Sequence, residues 1–183
     1  MNSRITTDQI SELLAQDKSG RVTRELLQAF LRNPQGQVND KLQDYHVTVD
    51  YGMTVEQMVE AGRYDWKNSD VSSRNFQVKG EGLVEVNLEL VHLNKVASTS
   101  EAKAYLDANG LRAATIEELL AFGATFPDVQ REFPIVALGS SWVDRYGDRD
   151  VPCLDRRRSK RRLDLYWHDY RWDGFCRFLA VRN

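Results

Sequence analysis

The clearest periodicity in the chain lies at residues 83–93, where Val84, Val86, Leu88 and Leu90 alternate with Glu85, Asn87 and Glu89. Such alternation predicts a strand with one buried and one wet face. His92 continues the apolar face and reads as a hydrogen-bonded histidine at the strand end. Leu163, Leu165 and Trp167 repeat the pattern against Asp164 and Tyr166. Phe178 and Ala180 oppose Leu179 and Val181 near the C-terminus. Residues 135–138 form a continuous apolar run, which predicts a buried strand. Residues 45–49 alternate weakly and predict a short one. Locally joined strands in the last fifty residues favour antiparallel pairing.

Helix signals fall between these strands. Thr6 or Thr7 caps a helix carrying Ile10, Leu13 and Leu14, and Thr23 opens a second with Leu26, Leu27, Phe30 and Leu31, ended by Asn33-Pro34. Thr54 with Gln57 and Thr115 with Glu118 have capping-box spacing. Gly62 and Gly123 read as the stops of these two helices. Ser98 or Ser100 starts a helix closed by Asn109-Gly110. Residues 126–133 read as a further helical turn or two, closed by Pro134. Residues 144–162 are charged, with Gly147 and Pro152 among them, and read as an exposed hairpin or loop. The pattern predicts an α+β fold, with N-terminal helices packed on a C-terminal mixed, mainly antiparallel sheet. It divides into a helical region over 1–50 and an α+β domain over 51–183.

Composition narrows the function classes. The 183 residues are 42% hydrophobic and 28% charged, with a formal net charge of -2. The total has no basic excess of the kind nucleic-acid binders usually carry, so a basic site must be local. The first residues have no apolar run of the signal-peptide kind, and nothing approaches the ~20 apolar residues of a membrane span. The expectation is a cytoplasmic protein with no membrane contact. In that setting Cys153 and Cys176 read as reduced thiols, with Cys176 a small buried hydrophobe.

The chemistry-bearing motifs are few. Three histidines and two cysteines stand far apart without metal-ligand spacing, so no metal or other cofactor is expected. Asp144, Asp148 and Asp150 around Gly147 read as a solvated turn, with a calcium loop as the alternative. Ser141, His168 and Asp169 or Asp173 offer the ingredients of a hydrolase, but Ser141 lacks the Gly-x-Ser-x-Gly elbow.

The strongest local signal is residues 156–162, where Arg156, Arg157, Arg158, Lys160, Arg161 and Arg162 put six cations in seven positions. Such density focuses potential at near-zero total charge. Tyr166, Trp167, Tyr170 and Trp172 follow it, and cations beside aromatic faces suit single-stranded nucleic acid. A solvated hairpin neutralised by nearby aspartates, with the aromatics in the core, is the other reading. Tyr64 and Trp66, in a polar loop after a helix stop, and Trp142, after a buried strand, complete the candidate surface.

The run from Gly110-Leu111-Arg112 to Glu118-Leu119 resembles a landmark of C-type-lectin-like folds of the formylglycine-generating, sulfatase-modifying type. The ending Arg177-Phe178-Leu179-Ala180-Val181-Arg182 is similar to their closing strand, and Trp142 and Trp167 to their core tryptophans. The resemblance implies a lectin-like fold from about residue 83 and a ligand surface on its loops. The two cysteines do not match the catalytic pair of the generating enzymes.

The whole chain also resembles a set of uncharacterised bacterial proteins through Gly20-Arg21-Val22-Thr23, residues 28–34, Tyr64-Asp65-Trp66 and residues 133–140. This implies a bacterial or phage source. The leading expectation is a binding or accessory protein that presents a polar-aromatic, basic surface to a protein partner or a small anionic ligand. Non-specific nucleic-acid binding through residues 156–162 and a hydrolase are the alternatives.

Overall fold

The computed structural model describes residues 44–182. The two helices expected over residues 7–16 and 23–31 lie outside them. The fold is α+β: three helices and a nine-stranded mixed, mostly antiparallel sheet among the described residues. The strands are β1 (Tyr45–Asp50), β2 (Trp66–Lys67), β3 (Leu83–Val91), β4 (Leu111–Ala113), β5 (Ile135–Val136), β6 (Trp142–Val143), β7 (Arg149–Arg157), β8 (Lys160–Trp167) and β9 (Arg177–Arg182). The helices are α1 (Val55–Ala61), α2 (Thr99–Ala108) and α3 (Ile116–Thr125). The sheet order is β1-β3-β9-β5-β7-β8-β2, with β4 on β9 and β6 on β7. β1 pairs with β3 along its whole length, so the α+β unit begins before residue 51, earlier than the expected boundary. No described helix is long and apolar enough to cross a membrane.

Local chemistry sets the helix starts. Thr54 and Gln57 form the expected reciprocal box on α1, and Ser98 and Glu101 form one on α2. On α3 the Glu118 carboxylate accepts from the Thr115 N–H at 2.8 Å and pairs with the Arg112 guanidinium at 2.6 Å. Gly123 does not stop α3, which continues to Thr125. A Cβ at Gly123 would stand 2.2 Å from the Tyr64 hydroxyl and 2.8 Å from a Leu154 methyl, so this glycine is a packing residue.

The sheet has apolar clusters on both faces. One gathers α1, α3 and alternate residues of the strands, including Val47, Leu88, Leu154, Leu163 and Leu179. The other gathers α2 with Val91, Val136, Val151, Cys153, Trp172 and Phe178. The wet face expected for β3 is present over its first half and lost at Glu89. Glu85 and Asn87 do face β1 side chains at the exposed end, but Glu89 is buried and pairs with Arg182. His92 is a satisfied histidine at the strand end, with Nε2 2.6 Å from the Gly174 carbonyl.

Of the hairpin or loop expected over residues 144–162, the structure shows the hairpin, which extends to Trp167 and has a largely buried first strand. β7 and β8 form a hairpin closed by the two residues Arg158 and Ser159. Pro152 sits inside β7 without breaking it. Its carbonyl accepts from the Ala137 N–H at 3.0 Å, so its nitrogen also faces the β5 side, where no ladder bond to β8 is lost.

Strand periodicity decides the fate of the arginines on β8. Arg161 shares a face with Leu163, and its guanidinium turns into the protein. It donates to the Gly62 carbonyl at the end of α1 and to the Gly123 carbonyl in the last turn of α3, both at 2.7 Å, and to Gln130 at 3.1 Å. The Tyr64 ring lies 4.9 Å from it. Helix C-terminal carbonyls carry partial negative charge, so a cation is well placed there. Burial lowers the Arg161 pKa from its ordinary value, and the neighbouring Tyr64 opposes this. The Tyr64 hydroxyl itself is buried with no hydrogen-bond partner, and burial raises its pKa.

Replacing Arg161 by Ala leaves buried carbonyls unpartnered and is expected to cost about 3 kcal/mol in urea unfolding, with Lys a poor rescue because it lacks the planar fork. Tyr64→Phe removes only an unsatisfied hydroxyl and is expected to be neutral or stabilising. A loss above about 1 kcal/mol would show that the hydroxyl contributes.

Candidate anion-binding cleft

The cleft at the hairpin tip is built on an edge. β2 adds to β8 in parallel, with Trp66 opposite Arg162. Backbone bonds from Asp65 N–H to the Arg161 carbonyl (3.0 Å) and from Asn68 N–H to the Leu163 carbonyl (2.8 Å) fix this pairing. The Asp65 carboxylate accepts from the Arg161 N–H at 2.7 Å, and the Asn68 amide donates to Asp164 at 3.1 Å. The result is a two-residue edge strand held by side chains at both ends.

Arg162 lies on the opposite face of β8 from Arg161. Its guanidinium stacks 4.9 Å from the Trp66 ring, pairs with Asp155 at 3.1 Å, and pairs with Asp164. Asp155 also accepts from the Tyr166 hydroxyl at 2.6 Å. Burial raises the Asp155 pKa, while Tyr166 and Arg162 oppose that shift. For Tyr166, burial and then the bond to Asp155 raise the pKa. Arg162 is therefore a fixture of the wall rather than a mobile cation. Trp66 stays 45% exposed although one face carries this guanidinium, so its opposite face is open.

Arg157, Arg158 and Lys160 share a cleft with Trp66. Its volume is about 640 Å³, and Asp65, Ser159 and Arg162 also line it. All three cations are exposed, and none has a carboxylate partner among the described residues. Arg156 is exposed as well and donates to the Arg158 carbonyl at 3.2 Å. Arg158 holds φ at +59° in the two-residue turn, a region that costs an L-residue about 1 kcal/mol and that hairpin turns usually give to Gly, Asn or Asp.

The candidate residues do not form one surface. Arg161 and Trp172 are buried, which removes both from any contact surface. Trp172 donates to Thr99 at 2.9 Å and packs edge-on against Tyr166, Tyr170 and Phe178. Its ring belongs to the core because the turn after β8 folds back onto α2, with Ala97 and Trp172 bridged. Tyr64 packs on Arg161 inside. Tyr170 is half exposed over Trp172. Trp167 is half exposed opposite Asp150 at the other end of the hairpin, roughly 23 Å of strand from Arg157. Trp66, Arg157, Arg158, Lys160 and Arg162 do converge, and Asp65 and Ser159 join them unforeseen.

Trp142 lines a different cleft, at the far end of the hairpin, with Asp70, Asp144, Tyr146 and Asp150. Of the four aspartates expected to neutralise the basic run, Asp144, Asp148 and Asp150 stand at this far end and Asp155 alone reaches it, pairing with Arg162 as the unexpected Asp164 also does. One Asp144 oxygen accepts from the N–H groups of Tyr146 (2.8 Å) and Asp148 (3.0 Å), which makes this segment a turn. Burial, then Asp144 and Asp148, raise the Asp150 pKa.

No hydrolytic relay forms among the described residues. The Ser141 hydroxyl accepts from Arg149 at 3.0 Å, whereas His168 Nδ1 sits 3.1 Å from Asp169. Asp173 accepts from the Phe175 N–H at 3.1 Å. Both cysteines are free and buried. Burial raises each thiol's pKa, for Cys176 to about 12 with Asp173 adding to it, so neither is a ready nucleophile near pH 7.

No family model, curated protein or solved structure matches this chain.

A raised carboxyl pKa means the folded state binds that proton more tightly than the unfolded chain. Stability is then lost as pH rises through the interval between the ordinary and the raised value. Asp150→Asn is expected to raise Tm at pH 7 and to leave it unchanged near pH 3, where the native carboxyl is neutral. An equal gain at both values would exclude the charge as the cause.

Proposed function

We propose that this chain is a binding module for anionic ligands, and that the cleft at the tip of the β7–β8 hairpin is its site. One observation carries the reading. Arg157, Arg158 and Lys160 stand exposed without a carboxylate partner among the described residues, in one cleft with a half-exposed tryptophan. Exposed cations normally pair with carboxylates or scatter among them. Here Asp155 and Asp164 are taken by Arg162, and Asp65, the carboxylate in the cleft lining, accepts from the Arg161 backbone N–H.

The backbone supports the same reading. Arginine at φ +59° in a two-residue turn is a local cost, and such costs concentrate at functional positions. The cleft is also preorganised, because Trp66 and Arg162 are fixed before any ligand arrives, which limits the ordering cost on binding.

Replacing Arg157, Arg158 and Lys160 together by Ser is expected to abolish binding of inorganic polyphosphate at about 50 mM salt, read by calorimetry. Thermal stability should stay within about 0.5 kcal/mol of the parent, since these are surface positions. Unchanged polyphosphate affinity in the triple variant would remove the site.

A further inference from the structure

We infer that the ligand of this cleft is single-stranded nucleic acid, with a base stacked on the open face of Trp66 and its phosphates on Arg157, Arg158 and Lys160. The inference rests on the anion-binding reading and narrows it. The three cations alone would suit any polyanion, so the choice depends on the other two features of the cleft.

The first is Trp66. An indole adds nothing to the capture of a phosphate chain or of clustered carboxylates, because neither has a flat face to offer. A nucleobase does. Base–aromatic stacking is sequence-tolerant and is the usual partner of a basic groove in single-strand binding. The platform is suited to it: one face is backed by the Arg162 guanidinium at 4.9 Å, and the ring remains 45% exposed.

The second is Asp65, which lines the same cleft beside Trp66. A ligand of uniform negative charge would set like charge against that carboxylate. A nucleotide places a neutral ring bearing N–H groups there and keeps its charge at the cations. The cleft is thus divided in the way a nucleotide is divided, with a neutral donor-bearing part against Trp66 and Asp65 and an anionic part against the hairpin tip. A duplex is disfavoured on the same ground, because its bases are stacked on one another and offer no free face to Trp66.

The test uses the full chain and three labelled probes: an oligothymidylate about twelve nucleotides long, an abasic strand of equal length, and polyglutamate. The oligothymidylate should bind more tightly than the abasic strand at about 50 mM salt. Trp66→Ala should weaken the oligothymidylate about tenfold and leave the abasic strand unchanged, and Trp66→Phe should retain most of the affinity. The triple Ser variant should weaken both strands and lower the slope of log affinity against log salt by about 2, from three phosphate contacts at ~0.7 each.

Equal binding of the two strands, or insensitivity of the oligothymidylate to Trp66→Ala, overturns the inference while leaving the anion-binding reading intact. Polyglutamate binding as tight as the oligothymidylate overturns it in favour of an acidic protein. Failure of every probe at low salt overturns both.

Discussion

The arrangement of this domain depends on one buried cation. The Arg161 guanidinium reaches through the sheet's packed face to the carbonyl ends of α1 and α3, and Gln130 joins it to the backbone of β7 and β8. Among the described residues no carboxylate pairs with its guanidinium. The compensation comes from the two helix termini, the Gln130 oxygen and the Tyr64 ring. Removing a guanidinium from water is costly unless its donors find acceptors, and here each of its three nitrogens donates one hydrogen bond. Two helices are thereby tied to a particular register of β8.

That register creates the cleft. Successive side chains on a strand point to opposite faces, so burying Arg161 obliges Arg162 to face outward. Facing outward, Arg162 meets Trp66 on β2 and Asp155 on β7. A slip of one residue would turn Arg162 into the core and leave Trp66 without its backing. The interior contact and the surface site are therefore consequences of the same alternation.

Much of the scaffold was readable from short-range chemistry. The caps at Thr54 and Ser98 depend on residues three apart, and the alternation in β3, β8 and β9 depends on neighbours two apart. What could not be read depends on distant pairing. Gly123 looks like a helix stop until Tyr64 and Leu154 are seen against it. Glu89 looks wet until it is seen buried and paired with Arg182. Six cations in seven positions conceal their own alternation, because inward and outward residues are the same type. The parallel pairing of β2 with β8 joins residues nearly a hundred positions apart, so Asp65 and Trp66 gave no sign of meeting the hairpin tip. The aromatic residues after β8 follow the basic run in sequence, yet the chain turns back there and takes Trp172 into the core.

The β7–β8 hairpin ends in arginines and lysine at its tip and, at its base, in Asp144, Asp148 and Asp150 with Arg145 and Arg149 among them, so the tip is the more positive end, with roughly seven residues of strand between. A rigid rod charged in this way behaves as an electric dipole, and in the field of an extended polyanion it feels a torque as well as an attraction. The molecule would rotate during approach, swinging its base away before any contact is made. Added salt would weaken this alignment earlier than it weakens the docked contacts, since alignment acts across distances beyond a Debye length.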